Sequence, residues 1–156
     1  MENKELKMSV LGVYRVGYGS NKMDAVLLVD ELNELVLPIF IGEAEAFSIQ
    51  AALEGIKPER PLTHDLLTNI LSELDVELEK VTIDGLIKDV FTATLHLREG
   101  ERRLRIDARP SDSIALALRT GSEIYADRSL LEHMVPRSSI KLPDKDEEEG
   151  KGFIPP

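Results

Sequence analysis

The 156-residue chain is long enough for one domain with a sizeable core. Its make-up of 42% hydrophobic, 31% charged and 4% aromatic residues, with no Cys and no Trp, excludes a disulfide scaffold, a thiolate metal site and a cysteine nucleophile. A formal charge of −10, about −8 of it outside the last sixteen residues, argues against passive electrostatic capture of nucleic acid.

Three apolar, β-branched stretches open the chain, and each reads as a strand: 6–16, 23–30 and 35–41. The turn between the first two falls at Gly17–Asn21, and Pro38, lacking an N–H, suggests an edge or a bulge. A helix follows over Glu43–Glu54, stopped by Gly55 and apolar around most of its circumference. A second helix begins near Thr63, its expected N-cap, and runs to about Leu74.

The pattern then recommences. Strands are expected over Val76–Asp84, with a turn at Gly85, and over Val90–Arg98. A Glu99–Gly100 turn leads to a third strand carrying Leu104, Ile106 and Ala108. A strongly apolar helix, Asp112–Arg119, starts from Ser111 as expected N-cap and stops at Gly121; a short helix over Ser129–Val135 closes the fold. An offset of about 67 residues superposes the two halves. The expected fold is therefore one α+β domain, residues 1–140, built by internal duplication of a three-strand/two-helix unit around a shared core. Residues 141–156 read as a flexible acidic tail.

No apolar run reaches the length of a membrane span, and the polar start is unlike a signal peptide, so a cytoplasmic protein without membrane association is expected. Nucleotide-binding glycine loops, zinc motifs and serine-hydrolase elbows are absent, and His64, His96 and His133 are scattered. Chemistry would sit at three strand-to-helix junctions: Glu43 and Glu45 after Gly42; Arg60, His64 and Asp65; and Asp107, Arg109 and Asp112. Each has a plain structural role available, since acids in a first turn oppose the helix dipole and Ser or Thr caps it. The functional reading is that the carboxylates converge, Glu43, Glu45, Asp107 and Asp112 holding Mg²⁺ or Mn²⁺ and the arginines a phosphate. A Glu99–Gly100 hairpin would also gather His96, Arg98, Arg103, Arg105 and Arg109 on one polar sheet face, either merely solvated or a phosphate-contact surface that adds Arg103 and Arg105 to Arg60 and Arg109.

At these junctions the sequence resembles the bifunctional nuclease (BFN) domain family, through LPIFIGEAEAFSIQAALEG from Leu37, PERPLTHDLL from Pro58 and IDARPSDSIALALRTGSEIY from Ile106. The likeness spans about residues 8–135. It implies an α+β fold of its own type, DNase and RNase activity on a nucleic-acid substrate, and self-association, a dimer being favoured. The UvrB/UvrC-like module that follows the domain in many relatives is not expected here. On the chemistry of the side chains, His64, Asp65, Asp107 and Asp112 are the catalytic candidates, with His64 as general acid or base. The alternative is a non-catalytic oligomeric assembly module whose motifs fix caps and an interface.

Overall fold

The computed structural model describes residues 4–142 apart from Gly19. Its frame is one eight-stranded sheet in the order β6-β5-β4-β7-β1-β2-β3-β8; of its three α-helices, two send several buried residues into one core and the third contributes only Leu71 to its edge. β1 (Glu5–Tyr18), β2 (Asn21–Asp30) and β3 (Leu35–Ile41) form an antiparallel meander, as do β4 (Glu77–Ile87), β5 (Val90–Glu99) and β6 (Arg102–Ala108). Each meander runs straight into a helix: β3 into α1 (Glu43–Leu53), β6 into α3 (Pro110–Thr120). The remaining helix, α2 (Thr63–Glu73), lies between the halves in sequence.

The bounds of β3 and β6, and those of α1 and α3, differ by 67 residues throughout. What recurs is therefore a meander and the helix after it. The expected second helix is a short 3₁₀ helix over Arg128–His133, reached through an additional strand, β7 (Glu123–Asp127), and followed by the two-residue β8 (Val135–Pro136). β7 joins the halves by pairing parallel to β4 and antiparallel to β1. One continuous core results, in which Val26, Leu37 and Ile49 of the first half share a cluster with Ile83, Ala93 and Ile114 of the second. A smaller cluster, Ala25, Leu27, Val29 and Val36, covers the far face of β2–β3 and receives Ile140 and Leu142 at the end of the described chain. The flexible tail expected over 141–156 lies, beyond Leu142, outside the described residues.

Local chemistry shifts several expected boundaries. Gly85 is no turn; it stands at a register shift inside β4, and the β4–β5 hairpin turns at Lys88 and Asp89, both with positive φ. The β5–β6 hairpin turns at Gly100–Glu101, with Gly100 at φ +61°, so Arg98 faces Arg103 and His96 faces Arg105. That is a slip of two residues from the expected register, which keeps every side chain on its predicted face but changes its partner. α2 begins at its proposed cap and α3 one residue before its own. Leu62 and Arg109 hold the N-cap positions, Thr63 is the first helical residue, and Pro110 opens α3, where its missing N–H costs nothing.

Candidate functional site

The junctions meet where α1 and α2 pack against α3. His64, in the first turn of α2, is buried with both ring nitrogens engaged: Nδ1 lies 2.5 Å from Ser48 Oγ of α1, and Nε2 lies 2.8 Å from Asp112 Oδ1 of α3. A carboxylate only accepts, so Nε2 carries the proton toward Asp112, and in the neutral ring Nδ1 accepts from the Ser48 hydroxyl. Arg109 donates to Asp112 from Nε at 2.8 Å and Nη2 at 3.2 Å, and from Nη1 to Glu45 Oε1 at 2.9 Å. One hydrogen-bonded series therefore runs Ser48–His64–Asp112–Arg109–Glu45, from the buried interior to an exposed guanidinium.

Burial pushes the Asp112 carboxyl up, but hydrogen bonds from Arg109 and His64 outweigh it and hold the group below the usual carboxylate range. Arg109 is raised in turn by its bonds to Asp112 and Glu45. Asp65 faces elsewhere. It accepts from Arg119 Nε at 2.8 Å and from the Leu62 backbone N–H at 2.9 Å, and these bonds lower its pKa against the opposing effect of burial. Arg119 also donates to the Ser48 carbonyl at 3.2 Å, tying the end of α3 to α1.

Not every predicted residue joins this series. Glu43 is almost fully exposed and meets Arg15 at 3.4 Å, while Arg15 also holds the buried Asp24 at 3.2 Å. Arg60 is exposed, with no ion-pair or hydrogen-bond partner among the described residues. Asp107 alternates onto the polar sheet face beside Arg103 and Arg105, opposite Thr94. On that face Arg98 is bound by Glu77 and Arg103 by Glu79 at 3.1 Å, which leaves Arg105 as its arginine without a partner among the described residues. His96 accompanies Thr82 at 2.9 Å, and burial with the charges of Lys80 and Arg105 lowers its pKa. The open cleft there, of about 570 Å³, is lined by Glu5, Glu79 and Glu123 as well as by cations. A predominantly basic surface is not what the face presents.

The expected cation site can be tested on the donor set. Glu45 and Asp112 share a guanidinium, and among the described residues no group of three or more His, Asp or Glu is placed to hold a metal ion. With Arg109 in place these carboxylates do not fit a divalent cation. Ser48 and Arg119 were missed from the sequence. Each nevertheless left a trace: a lone hydroxyl inside an apolar helix, and a lone cation in the last turn of another. The order hydroxyl–imidazole–carboxylate matches that of activated serine nucleophiles. Ser48 is only 6% exposed, however, so the series fixes the imidazole and does not present a nucleophile.

A sheet carrying three helices whose junctions share one charged network defines an α+β domain with a built polar site, and the comparisons give it a family. The family model described as "Bifunctional nuclease domain" matches residues 26–138. Uncharacterized proteins from two strains of Mycobacterium tuberculosis are 39% identical over 125 residues, covering 80% of this chain and 72% of theirs. "Bifunctional nuclease 2" of Oryza sativa subsp. japonica is 28% identical over 108 residues, and "Bifunctional nuclease 1" of Oryza sativa subsp. indica 26%; each match covers 67% of this chain and 33% of the rice protein. The chain belongs to the bifunctional nuclease domain family. No helix among the described residues is long and apolar enough to cross a membrane.

Proposed function

We propose that this protein hydrolyses phosphodiester bonds in DNA and RNA with little sequence preference, and that the α1–α2–α3 junction is its working site. The observation that carries the reading is the convergence of His64, Asp112, Arg109 and Glu45, drawn from all three family motifs, into one hydrogen-bonded series. Asp112 orients His64 and, with both oxygens engaged, takes a proton from an attacking water only as Arg109 turns from it to the phosphate. Arg60, unpaired among the described residues, is the cation free to meet a phosphate. Arg109 spends three of its five N–H donors on Asp112 and Glu45 and is exposed, so it can meet a phosphate with the other two; turning further onto the phosphate frees a carboxylate. Asp65 serves by anchoring α2 through Arg119.

The test is cleavage of end-labelled single-stranded DNA and RNA in Mg²⁺, Mn²⁺ and EDTA by the wild type, Asp112→Asn and His64→Gln. Loss of an acid–base group is worth roughly 10²- to 10⁴-fold in rate, and both variants are expected to fall by that much. Absence of cleavage by the wild type, or unchanged rates in both variants, would falsify the proposal.

A second reading, that of a non-catalytic assembly module, is favoured by saturation at the buried end of the series, where both nitrogens of His64 and both oxygens of Asp112 are engaged. It expects the same variants to lose folded stability with no cleavage to lose.

A further inference from the structure

We infer that α2 is the contact surface for a second copy of this chain, packed antiparallel to its equivalent across a two-fold axis. Of the eleven residues of α2 only His64 is fully buried. Leu66, Leu67, Ile70 and Leu74, at the helix and its C-cap, are 40–62% exposed. Leu66, Ile70 and Leu74 recur at i, i+4 and i+8, and Leu67 stands beside them, so at about 100° per residue the four form one stripe. His64 and Leu71, which hold α2 to its own domain, project about a quarter-turn away from it. The stripe therefore has no cover within the described chain.

Flanking charges select the occupant. Lys57 and Arg60 precede α2, exposed and without partners among the described residues, and with Glu59 between them they leave this end one charge positive. Glu73 and Asp75 stand at the other end, exposed and equally unpaired among those residues, and the last turn holds no basic residue. Acids there face the negative end of the helix dipole, an unfavourable placement that one copy alone leaves uncompensated. An antiparallel second copy sets Lys57 and Arg60 of each chain toward Glu73 and Asp75 of the other, and the two-fold axis supplies that match twice. Ile70, midway along the stripe, lies nearest the axis.

Sedimentation velocity and light scattering on the full chain test the inference, with circular dichroism as the check on folding. The wild type is expected to dimerise, and Ile70→Asp, which places a charge at the centre of the apolar contact, to weaken dimerisation at least ~100-fold. Reversing one end (Lys57→Glu with Arg60→Glu) is expected to weaken it about tenfold; adding Glu73→Lys and Asp75→Lys restores it to within about threefold, because paired charges couple only when they meet. The chain has no cysteine, so Ile70→Cys carries a single thiol and is expected to form a covalent dimer on mild oxidation. Leu32→Cys, exposed in the β2–β3 turn, is not. A monomeric wild type, an Ile70→Asp protein that still dimerises, or a fourfold reversal that fails to restore association each overturns the assignment. None of these readouts depends on hydrolysis, so the interface and the proposed activity fail separately.

Discussion

Replacing Asp112 with alanine removes the acceptor of three hydrogen bonds, and their surroundings give the three different weights. The bond from His64 Nε2 matters most. The ring is 8% exposed, and Ser48 already occupies its other nitrogen. Truncation leaves an N–H in the interior without a partner, which costs about 1–3 kcal/mol. The two bonds from Arg109 belong to an exposed guanidinium that keeps Glu45, and such pairs are worth about 0.2–1 kcal/mol. A destabilisation of about 2–3 kcal/mol is expected, which for a domain of this size lowers Tm by roughly 6–9 °C. Asp112→Asn retains an oxygen for the His64 N–H, but it loses the charge and sets its NH₂ where Oδ2 accepted from the exposed Arg109, so about 1 kcal/mol is expected. Urea titration of both variants, with m unchanged, is the assay. If alanine costs no more than asparagine, the bond to His64 does not organise the junction and the reasoning fails.

Other consequences are cheaper to check. Ser48→Ala strips the donor from Nδ1 of the same buried ring, with an expected loss of about 1 kcal/mol and a displaced ¹⁵N resonance of His64 Nδ1. Asp65 and Asp112 are both held below their unfolded values, so their contribution to stability is complete above about pH 4 and disappears as pH falls through the lower folded values. Stability measured from pH 6 down to pH 2 should therefore fall less steeply in Asp112→Asn than in the wild type, and equal slopes would refute the assignment. Gly42→Ala brings a Cβ to 2.5 Å from Glu45 Oε2, the free end of a flexible side chain at a position with ordinary φ. Glu45 is expected to swing off Arg109, so Gly42→Ala should add almost nothing to the cost of Glu45→Gln.

Much of the fold was legible because the strand and helix periods differ and Gly and Pro punctuate the chain. β3 keeps the bounds read from 35–41, and α1 and α3 end where Gly55 and Gly121 take positive φ. β7 was not legible. Five residues, EIYAD, alternate too briefly to stand out, and what makes them a strand is the space between β1 and β4. The β5–β6 register slipped because Glu99–Gly100 and Gly100–Glu101 both supply a glycine, and a slip of two preserves the hydrophobic pattern. At the site, the sequence marked His64, Arg109, Asp112 and Glu45 but not their grouping, which requires α2 to cross to α3. Asp107 was drawn in by nearness along the chain, and strand alternation sends it to the other face of the sheet.

Arg60 is where the two proposals bear on one another. As a cation unpaired among the described residues it suits a substrate phosphate; as the charge preceding α2 it suits the acids of a second copy. A guanidinium has five donors and can serve both, but a charge reversal separates the uses. With Arg60→Glu and Lys57→Glu, association and nucleic-acid affinity should both fall. Adding Glu73→Lys and Asp75→Lys returns the complementary pair at the interface, yet it moves the cations to the far end of α2, away from His64 and Asp112. If Arg60 acts on substrate, the dimer recovers and cleavage does not. If cleavage returns with the dimer, Arg60 acts only by holding two copies together, and the phosphate must be met by Arg109 with the donors that Asp112 and Glu45 leave free. Nucleic-acid affinity measured against salt distinguishes these directly, because every duplex phosphate that the protein ceases to neutralise makes the log–log slope shallower by about 0.9.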